Sequence, residues 1–160
     1  MTKIEFKSIG TIYSPYEKSD ATPIQASVSD KNGVVEIFPE YKDGLKDLDG
    51  FSHIILLYHF HQSKNFSLQV KPYLDKAKRG LFSTRAPSRP NPIGISIVKL
   101  LRIEGTKLYI QNIDIFNGTP LLDIKPFVPN FDLQEEYQIG WLEKHIHKLN
   151  KTKDDGRFSS

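Results

Sequence analysis

The feature that most constrains the fold is a set of six strand-like runs with little helical pattern between them. Alternating apolar residues bounded by Gly, Pro, Asn and Asp define these runs. They span Ile4–Tyr13, Val34–Phe38, His53–His61, Gly94–Ile103, Lys107–Phe116 and Leu121–Val128. A doubly wound parallel sheet needs a helix between successive strands. The sequence therefore predicts a mainly β protein, a mostly antiparallel barrel with short helical turns and one C-terminal helix.

That helix is expected at Asp132–Leu149. Asp132 would cap its first N–H groups, and Glu135 three residues later would complete a capping box. One helical stripe would carry the apolar residues Ile139, Leu142, Ile146 and Leu149. We expect residues 1–150 to form a single domain and residues 151–160, which are mostly polar, to form a flexible tail.

Two runs predict which side chains face the core. In the third, Ile54, Leu56, Tyr58 and Phe60 share one side, which is entirely apolar and predicts a core face. In the fourth, Ile95, Ile97, Leu101 and Ile103 share one side, which predicts a half-buried strand. The other side of the third run carries His53, His59 and His61. These histidines suit a metal site or a polar pocket, and the missing third ligand favours the pocket.

Charge is concentrated in one stretch of a chain that is otherwise almost neutral. The 160 residues carry a net charge of +3, whereas the basic segment, Lys71–Arg89, has six basic residues and one acid, a net +5. Such a segment predicts an anionic partner. The chain has no cysteine, which excludes disulfides, thiolate metal sites and cysteine nucleophiles. Neither a signal peptide nor a membrane span is evident, so we expect a soluble, cytoplasmic protein.

The end of the basic segment forms a stiff loop. Pro87, Pro90 and Pro92 fix three backbone angles within six residues and extend their predecessors. The loop would hold Arg85 and Arg89 with little entropy left to lose. Guanidinium groups held in this way suit carboxylate or phosphate.

A turn before the last strand is a second candidate. Asn117-Gly118 is a strong turn signal, and the backbone of such a turn can read the edge of a heterocycle. Asp123 and Lys125 alternate with apolar residues, so they point either into a site or at each other as an ordinary cross-strand pair. Rossmann, P-loop and α/β-hydrolase signatures are absent.

Five strings in chain order carry a resemblance to a known family. They are IGTIYSPY (9–16), PIQ (23–25), GFSHIILLYHFHQ (50–62), GLFSTRAPSRPNPIG (80–94) and NGTPLLDIKPFVP (117–129). In this arrangement the chain resembles the TrmO family, also called TsaA-like or YaeB-type, over about residues 4–132. The R-P-N-P-I-G and G-T-P-x-x-D-I-K-P strings are the most specific.

The resemblance implies an S-adenosylmethionine-dependent methyltransferase on a β-barrel, acting as a homodimer with its cofactor near the subunit interface. Characterised members methylate N6 of threonylcarbamoyladenosine beside the anticodon of certain tRNAs. The positions that would contact the cofactor here are Pro23, Ile24, Gln25, His61, Gln62, Arg85, Asn117, Gly118, Thr119, Pro120 and Leu121. No metal is implied.

The resemblance also suggests roles for the charged groups. Arg85 would pair with the methionine carboxylate of the cofactor, and Asp123 would receive or steer the proton of N6. Binding of tRNA phosphate or of the threonyl carboxylate would fall to Arg89 and to the basic residues Lys71, Lys76, Lys78 and Arg79.

Two departures from the family bear on substrate choice. Many members carry Asp at the position of Asn117, and some bacterial members have a further C-terminal domain. Three other readings stay open at this point: a non-catalytic RNA- or nucleotide-binding barrel, a methyltransferase with a small-molecule acceptor, and a histidine-ligated metal enzyme.

Overall fold

A closed antiparallel barrel forms the body of the molecule. The structure, a computed structural model, describes residues 1–17 and 31–147. Its strands there are β1 (Gly10–Tyr13), β2 (Asn32–Ile37), β3 (His53–His59), β4 (Gln69–Val70), β5 (Arg79–Gly80), β6 (Ile93–Glu104), β7 (Lys107–Gln111) and β8 (Thr119–Pro126). Six of them close in the order β1-β2-β7-β6-β3-β8, and β4 and β5 pair separately. The predicted barrel class and all six strand-like runs are confirmed.

Two strands are shorter than expected. β1 begins at Gly10 rather than Ile4, and a Cβ on Gly10 would lie 2.3 Å from the Glu36 carbonyl oxygen of β2. Only glycine allows this approach. β7 ends at Gln111 rather than Phe116, because Asn112 adopts a left-handed φ of 68° that extended backbone excludes.

The barrel interior confirms one predicted face and corrects the other. Ile54, Leu56 and Tyr58 are buried as expected. In β6, however, the buried residues are Gly94, Ser96, Val98 and Leu100, and Ile95, Ile97 and Leu101 point outward. The strand is half-buried as predicted, but its isoleucines lie on the outer side, because Leu57 pairs with Ile95 and faces out with it. An apolar row therefore covers the outside of β6.

The C-terminal region contains a helix, but not over the predicted span. Helix α1 covers only Pro129–Asp132, and a 3-10 helix covers Gly140–Lys144. Asp132 ends α1, and its carboxylate accepts the Val128 N–H at 2.9 Å, so the expected capping box with Glu135 is wrong. The chain leaves the helical conformation at Leu133, which is extended with φ −111° and ψ 137°. Leu149 and the expected tail lie outside the described residues.

Short 3-10 helices fill the remaining links, at Pro39–Leu45, Leu48–Gly50 and Leu81–Ser83. No helix in residues 1–17 and 31–147 is both long and apolar enough to cross a membrane.

Candidate functional site

The Asn117-Gly118 turn is built into the end of the barrel. Gly118 has a φ of 82°, the left-handed value that the second central residue of a type II turn needs. The Asn117 N–H donates to the Tyr16 carbonyl at 2.7 Å, and the Gly118 N–H donates to Ile12 at 2.8 Å. Both N–H groups are thus used inside the protein, so the turn cannot offer them to a heterocycle.

The Asn117 side chain joins this turn to the segment that follows β1. Its Oδ1 accepts the Ser14 N–H at 3.1 Å, and its Nδ2 donates to Glu17 Oε1 at 3.0 Å. The Ser14 hydroxyl donates to the Ile115 carbonyl. An aspartate at position 117 can replace only the first of the Asn117 bonds, since a carboxylate does not donate.

His61 approaches the same turn from the end of β3. Its Nδ1 lies 3.4 Å from Thr119 Oγ1, which itself donates to the Phe116 carbonyl at 2.7 Å. Since the one hydroxyl proton is used there, a hydrogen bond in this pair requires a proton on His61 Nδ1. Burial, and then the charge of His59, lower the pKa of His61 below its usual value. We call Ser14, Glu17, His61, Asn117 and Thr119 the turn cluster.

A buried polar chain lies inside the barrel next to this end of β3. The Tyr58 hydroxyl is 2.8 Å from Ser96 Oγ, and Ser96 donates to Asp114 Oδ1 at 2.7 Å. Burial, followed by the Asp114 charge, raises the pKa of Tyr58 far above its usual value, and the Arg85 charge acts in the opposite direction. The guanidinium of Arg85, although exposed, therefore lies within electrostatic range of Tyr58.

Gly94 of the R-P-N-P-I-G string makes room for Tyr58. A Cβ at this position would lie 2.3 Å from the Tyr58 ring and 2.7 Å from the Phe60 ring. Tyr58, Ser96 and Asp114 were not among the candidate site residues. The one available signal was Ser96, a polar residue in an otherwise apolar alternation.

The basic segment is held to the C-terminal region. Arg79 donates through Nε and Nη2 to Asp75 Oδ2, and Nε does so at 2.8 Å. The Arg79 guanidinium also lies 5.5 Å from the centroid of the Trp141 ring, whose indole N–H donates to the Ser83 carbonyl at 2.9 Å. His145 Nε2 approaches Asp75 at 3.7 Å. Arg79 thus has a structural partner, whereas Lys76 and Lys78 are exposed.

Arg89 contributes to the stiffness of its own loop. Its Nη1 donates to the carbonyls of Thr84 and Ala86 at 2.9 and 3.0 Å. Its guanidinium carbon lies 5.9 Å from the centroid of the Phe82 ring. The loop that the three prolines restrict is therefore also closed by a side chain.

The family model for the tRNA-methyltransferase O N-terminal domain matches residues 11–133. This chain belongs to the TrmO family. It is 56% identical over 97% of its length to a probable S-adenosyl-L-methionine-binding protein of Pyrococcus abyssi, and covers 85% of that protein. It is 37% identical over 78% of its length to a human tRNA (adenine(37)-N6)-methyltransferase, of which it covers 30%.

Solved structures of the TrmO family share the fold. Superposition on TrmO from Pseudomonas aeruginosa gives a TM-score of 0.74 at 34% identity over 88% of this chain. The chain covers 63% of that bacterial protein.

The TrmO site residues predicted from the sequence are partly brought together. His61, Asn117, Gly118 and Thr119 meet in one place; Gln62 is exposed beside His61, and Pro120 is half-buried after the turn. Leu121 points into the core opposite Tyr58, and its carbonyl accepts the Ile9 N–H at 2.8 Å. Pro23, Ile24 and Gln25 lie outside the described residues.

Asp123 is not part of the turn cluster. It lies four residues along β8 from Thr119, roughly 13 Å in an extended strand. Asp123 pairs with outward-facing Leu57, and its carboxylate lies 2.9 Å from Lys125 Nζ. Within the described ranges, no group of three or more His, Cys, Asp or Glu side chains is placed to hold a metal.

Proposed function

We propose that this protein is an S-adenosylmethionine-dependent tRNA methyltransferase that acts on N6 of threonylcarbamoyladenosine beside the anticodon. The observation that carries the proposal is the turn cluster, in which three distant segments of the TrmO domain meet at one end of the barrel. The human relative of the same family bears the name of a tRNA adenine-N6 methyltransferase.

The side chains at this end suit the cofactor chemically. S-adenosylmethionine supplies an activated methyl group on a positively charged sulfonium. A histidine whose pKa is lowered stays neutral at pH 7, so His61 adds no competing positive charge. Arg85 provides a cation for the methionine carboxylate. We assign cofactor binding to His61, Gln62, Arg85, the 117–121 turn and the Pro23–Gln25 segment.

These residues would act mainly by positioning. A direct methyl transfer requires donor and acceptor in line, so orientation accounts for much of the rate. The bonds of Asn117 to Ser14 and Glu17 fix the turn before any ligand arrives. The loop that Arg89 closes holds Arg85 in the same preorganised way. The basic segment would meet the tRNA phosphates through Lys71, Lys76, Lys78 and Arg89.

We further propose that the active form is a homodimer that pairs through the outside of β6. Ile93, Ile95 and Ile97 are 39%, 47% and 42% exposed on that strand. Adjacent exposed β-branched residues form the kind of apolar patch that a second copy covers. Asp123 shares this outer face, because it pairs with Leu57, which pairs with Ile95. In such a dimer, Asp123 would receive the N6 proton of a substrate bound at the site of the partner subunit.

The deciding experiment measures transfer of a labelled methyl group to tRNA that carries threonylcarbamoyladenosine. We expect transfer by the native chain and loss of SAM affinity in Arg85→Ala, measured by calorimetry. RNA binding without transfer, and with SAM ignored, would identify a binding barrel. Transfer to small molecules alone would identify a different acceptor.

Two matched variants test the assigned groups further. Asp123→Asn should lower turnover while leaving SAM affinity unchanged, and full retention of turnover would remove Asp123 from the mechanism.

Ile95→Lys should yield monomers in sedimentation analysis. Lys99→Ala, on the same outer face but charged, should leave the oligomeric state as it is. Because the proposed substrate is tRNA, we expect a cytoplasmic location.

A further inference from the structure

Phe82 is an exposed aromatic ring on an otherwise well-anchored loop. Its side chain is 74% exposed, whereas the neighbouring Leu81 is 1% exposed and holds the short 3-10 helix against the protein. Exposing a large apolar ring costs roughly 25 cal/mol for each Å² left in water. Phe82 thus offers an apolar surface to a partner from a well-anchored helix.

The backbone around Phe82 is fixed on both sides. The Thr84 hydroxyl donates to the Leu81 carbonyl at 2.7 Å, and the Ser83 hydroxyl donates to Gly80 at the same distance. Trp141 holds the Ser83 carbonyl from the C-terminal region. The backbone that carries the ring is thus held before binding, which lowers the entropy cost of ordering this loop.

Arg89 lies against the ring and is itself immobilised. The guanidinium carbon is within cation–π range of the ring centroid, at 5.9 Å, and its Nη1 is bonded to two loop carbonyls. Because the residue stays 74% exposed, Arg89 covers only a small part of Phe82. The exposed lysines of the same basic segment, Lys76 and Lys78, add positive charge along the chain.

We propose that Phe82, bordered by Arg89, is the surface on which an unpaired base of the RNA substrate stacks. An aromatic face next to fixed cations is the combination that single-stranded RNA recognises, since bases stack while phosphates meet the cations. The surface serves RNA binding and lies outside the residues assigned to the cofactor. This inference rests on the proposed function, because it names how the tRNA loop is held.

The test compares Phe82 variants in binding to a fluorescently labelled anticodon stem-loop RNA, and in methyl transfer to it. Phe82→Ala should weaken RNA binding about 5- to 150-fold, the range for loss of one base stack. Phe82→Tyr should restore it, and Phe82→Leu should not, because leucine keeps apolar area without a π face. SAM affinity and kcat at saturating RNA should stay unchanged while KM rises.

Two controls separate stacking from other roles. Phe131→Ala removes a phenylalanine of similar exposure, 79%, and should leave RNA binding intact. Lys78→Ala should reduce the salt dependence of binding by about 0.7 to 0.9 in the log–log slope, whereas Phe82→Ala should not change the slope.

Each contrary result is informative. Native affinity in Phe82→Ala or in Phe82→Leu would overturn the stacking role while the methyltransferase stands. A changed oligomeric state in Phe82→Ala would make the ring a protein contact instead. Failure of the native chain to methylate or bind any tRNA would instead remove the proposed function, and this inference with it.

Discussion

The turn cluster and the basic segment are held in place in different ways. The turn cluster follows from barrel closure: the N–H groups of Asn117 and Gly118 bond to the chain around β1, and β8 starts one residue later. The basic segment lies outside the barrel, with a two-stranded sheet and side-chain ties from Asp75, Arg89 and Trp141.

Because of this difference, substitutions in the two regions should have different effects on stability and binding. Changes near the turn cluster disturb backbone that the whole barrel shares, so they should affect stability and cofactor binding together. Changes in the basic segment affect a surface that a few side chains fix, so they should affect RNA binding with a smaller loss of stability. The variants below test that separation.

Gly94→Ala should have the largest effect. Its Cβ would collide with the Tyr58 and Phe60 rings at 2.3 and 2.7 Å, inside the barrel. Overpacking of this kind costs about 2 to 3 kcal/mol of unfolding free energy, measured by urea titration. Gly44→Ala is the matched control, because its Cβ would meet nothing within 4 Å. Equal stability of the two variants would contradict the proposed role of Gly94.

Asn117→Asp should have the next largest effect. The change removes the bond from Nδ2 to Glu17 Oε1 and places two carboxylates there. Since Glu17 is exposed, we expect a loss of about 1 kcal/mol, together with weaker SAM binding by calorimetry. Glu17→Gln should rescue the variant, because a glutamine amide can donate to the new aspartate. Absence of rescue would show that the Glu17 bond does not hold the turn.

The strands could be predicted from the sequence, because period-2 patterns and turn residues are local signals. The outward direction of Ile95 and Ile97 could not, since β6 has apolar residues on one side and small or apolar residues on the other. Only the pairing with β3 decides between them. The C-terminal helix was predicted too long, because an apolar stripe alone does not show that the chain becomes extended at Leu133.

In the site, too, some features could be predicted from the sequence, whereas others depend on contacts between distant residues. The resemblance to the TrmO family located the Asn117–Thr119 turn and His61, which the structure brings together. The contacts of Asn117 with Ser14 and Glu17 join residues about 100 positions apart, and no local pattern encodes them. Sequence also grouped Arg79 with the RNA-facing cations, whereas its partner Asp75 lies only four residues away.

Asp75→Asn tests the anchoring of the basic segment and should have a smaller, pH-dependent effect. Hydrogen bonds from Arg79 and from the Ala77 N–H lower the pKa of Asp75 to about 2 from 3.8. Because the folded-state pKa is the lower one, the stabilising contribution is complete above about pH 4 and fades as pH falls toward 2. Melting temperatures of the two proteins should therefore differ at pH 7 and converge near pH 2. A constant difference across that range would rule out the ionised carboxylate as the cause.

His59→Gln should have the smallest effect, confined to the titration of one neighbour in the turn cluster. The charge of His59 is the second cause, after burial, of the lowered pKa of His61. Removing it should raise the pKa of His61 toward 6.5, still below that value because burial remains, as followed by NMR of the ring protons. His53→Gln, whose native ring bonds Ser52 at the other end of β3, should leave the His61 titration unchanged. A His61 pKa unmoved by His59→Gln would mean that burial alone lowers the pKa of this imidazole.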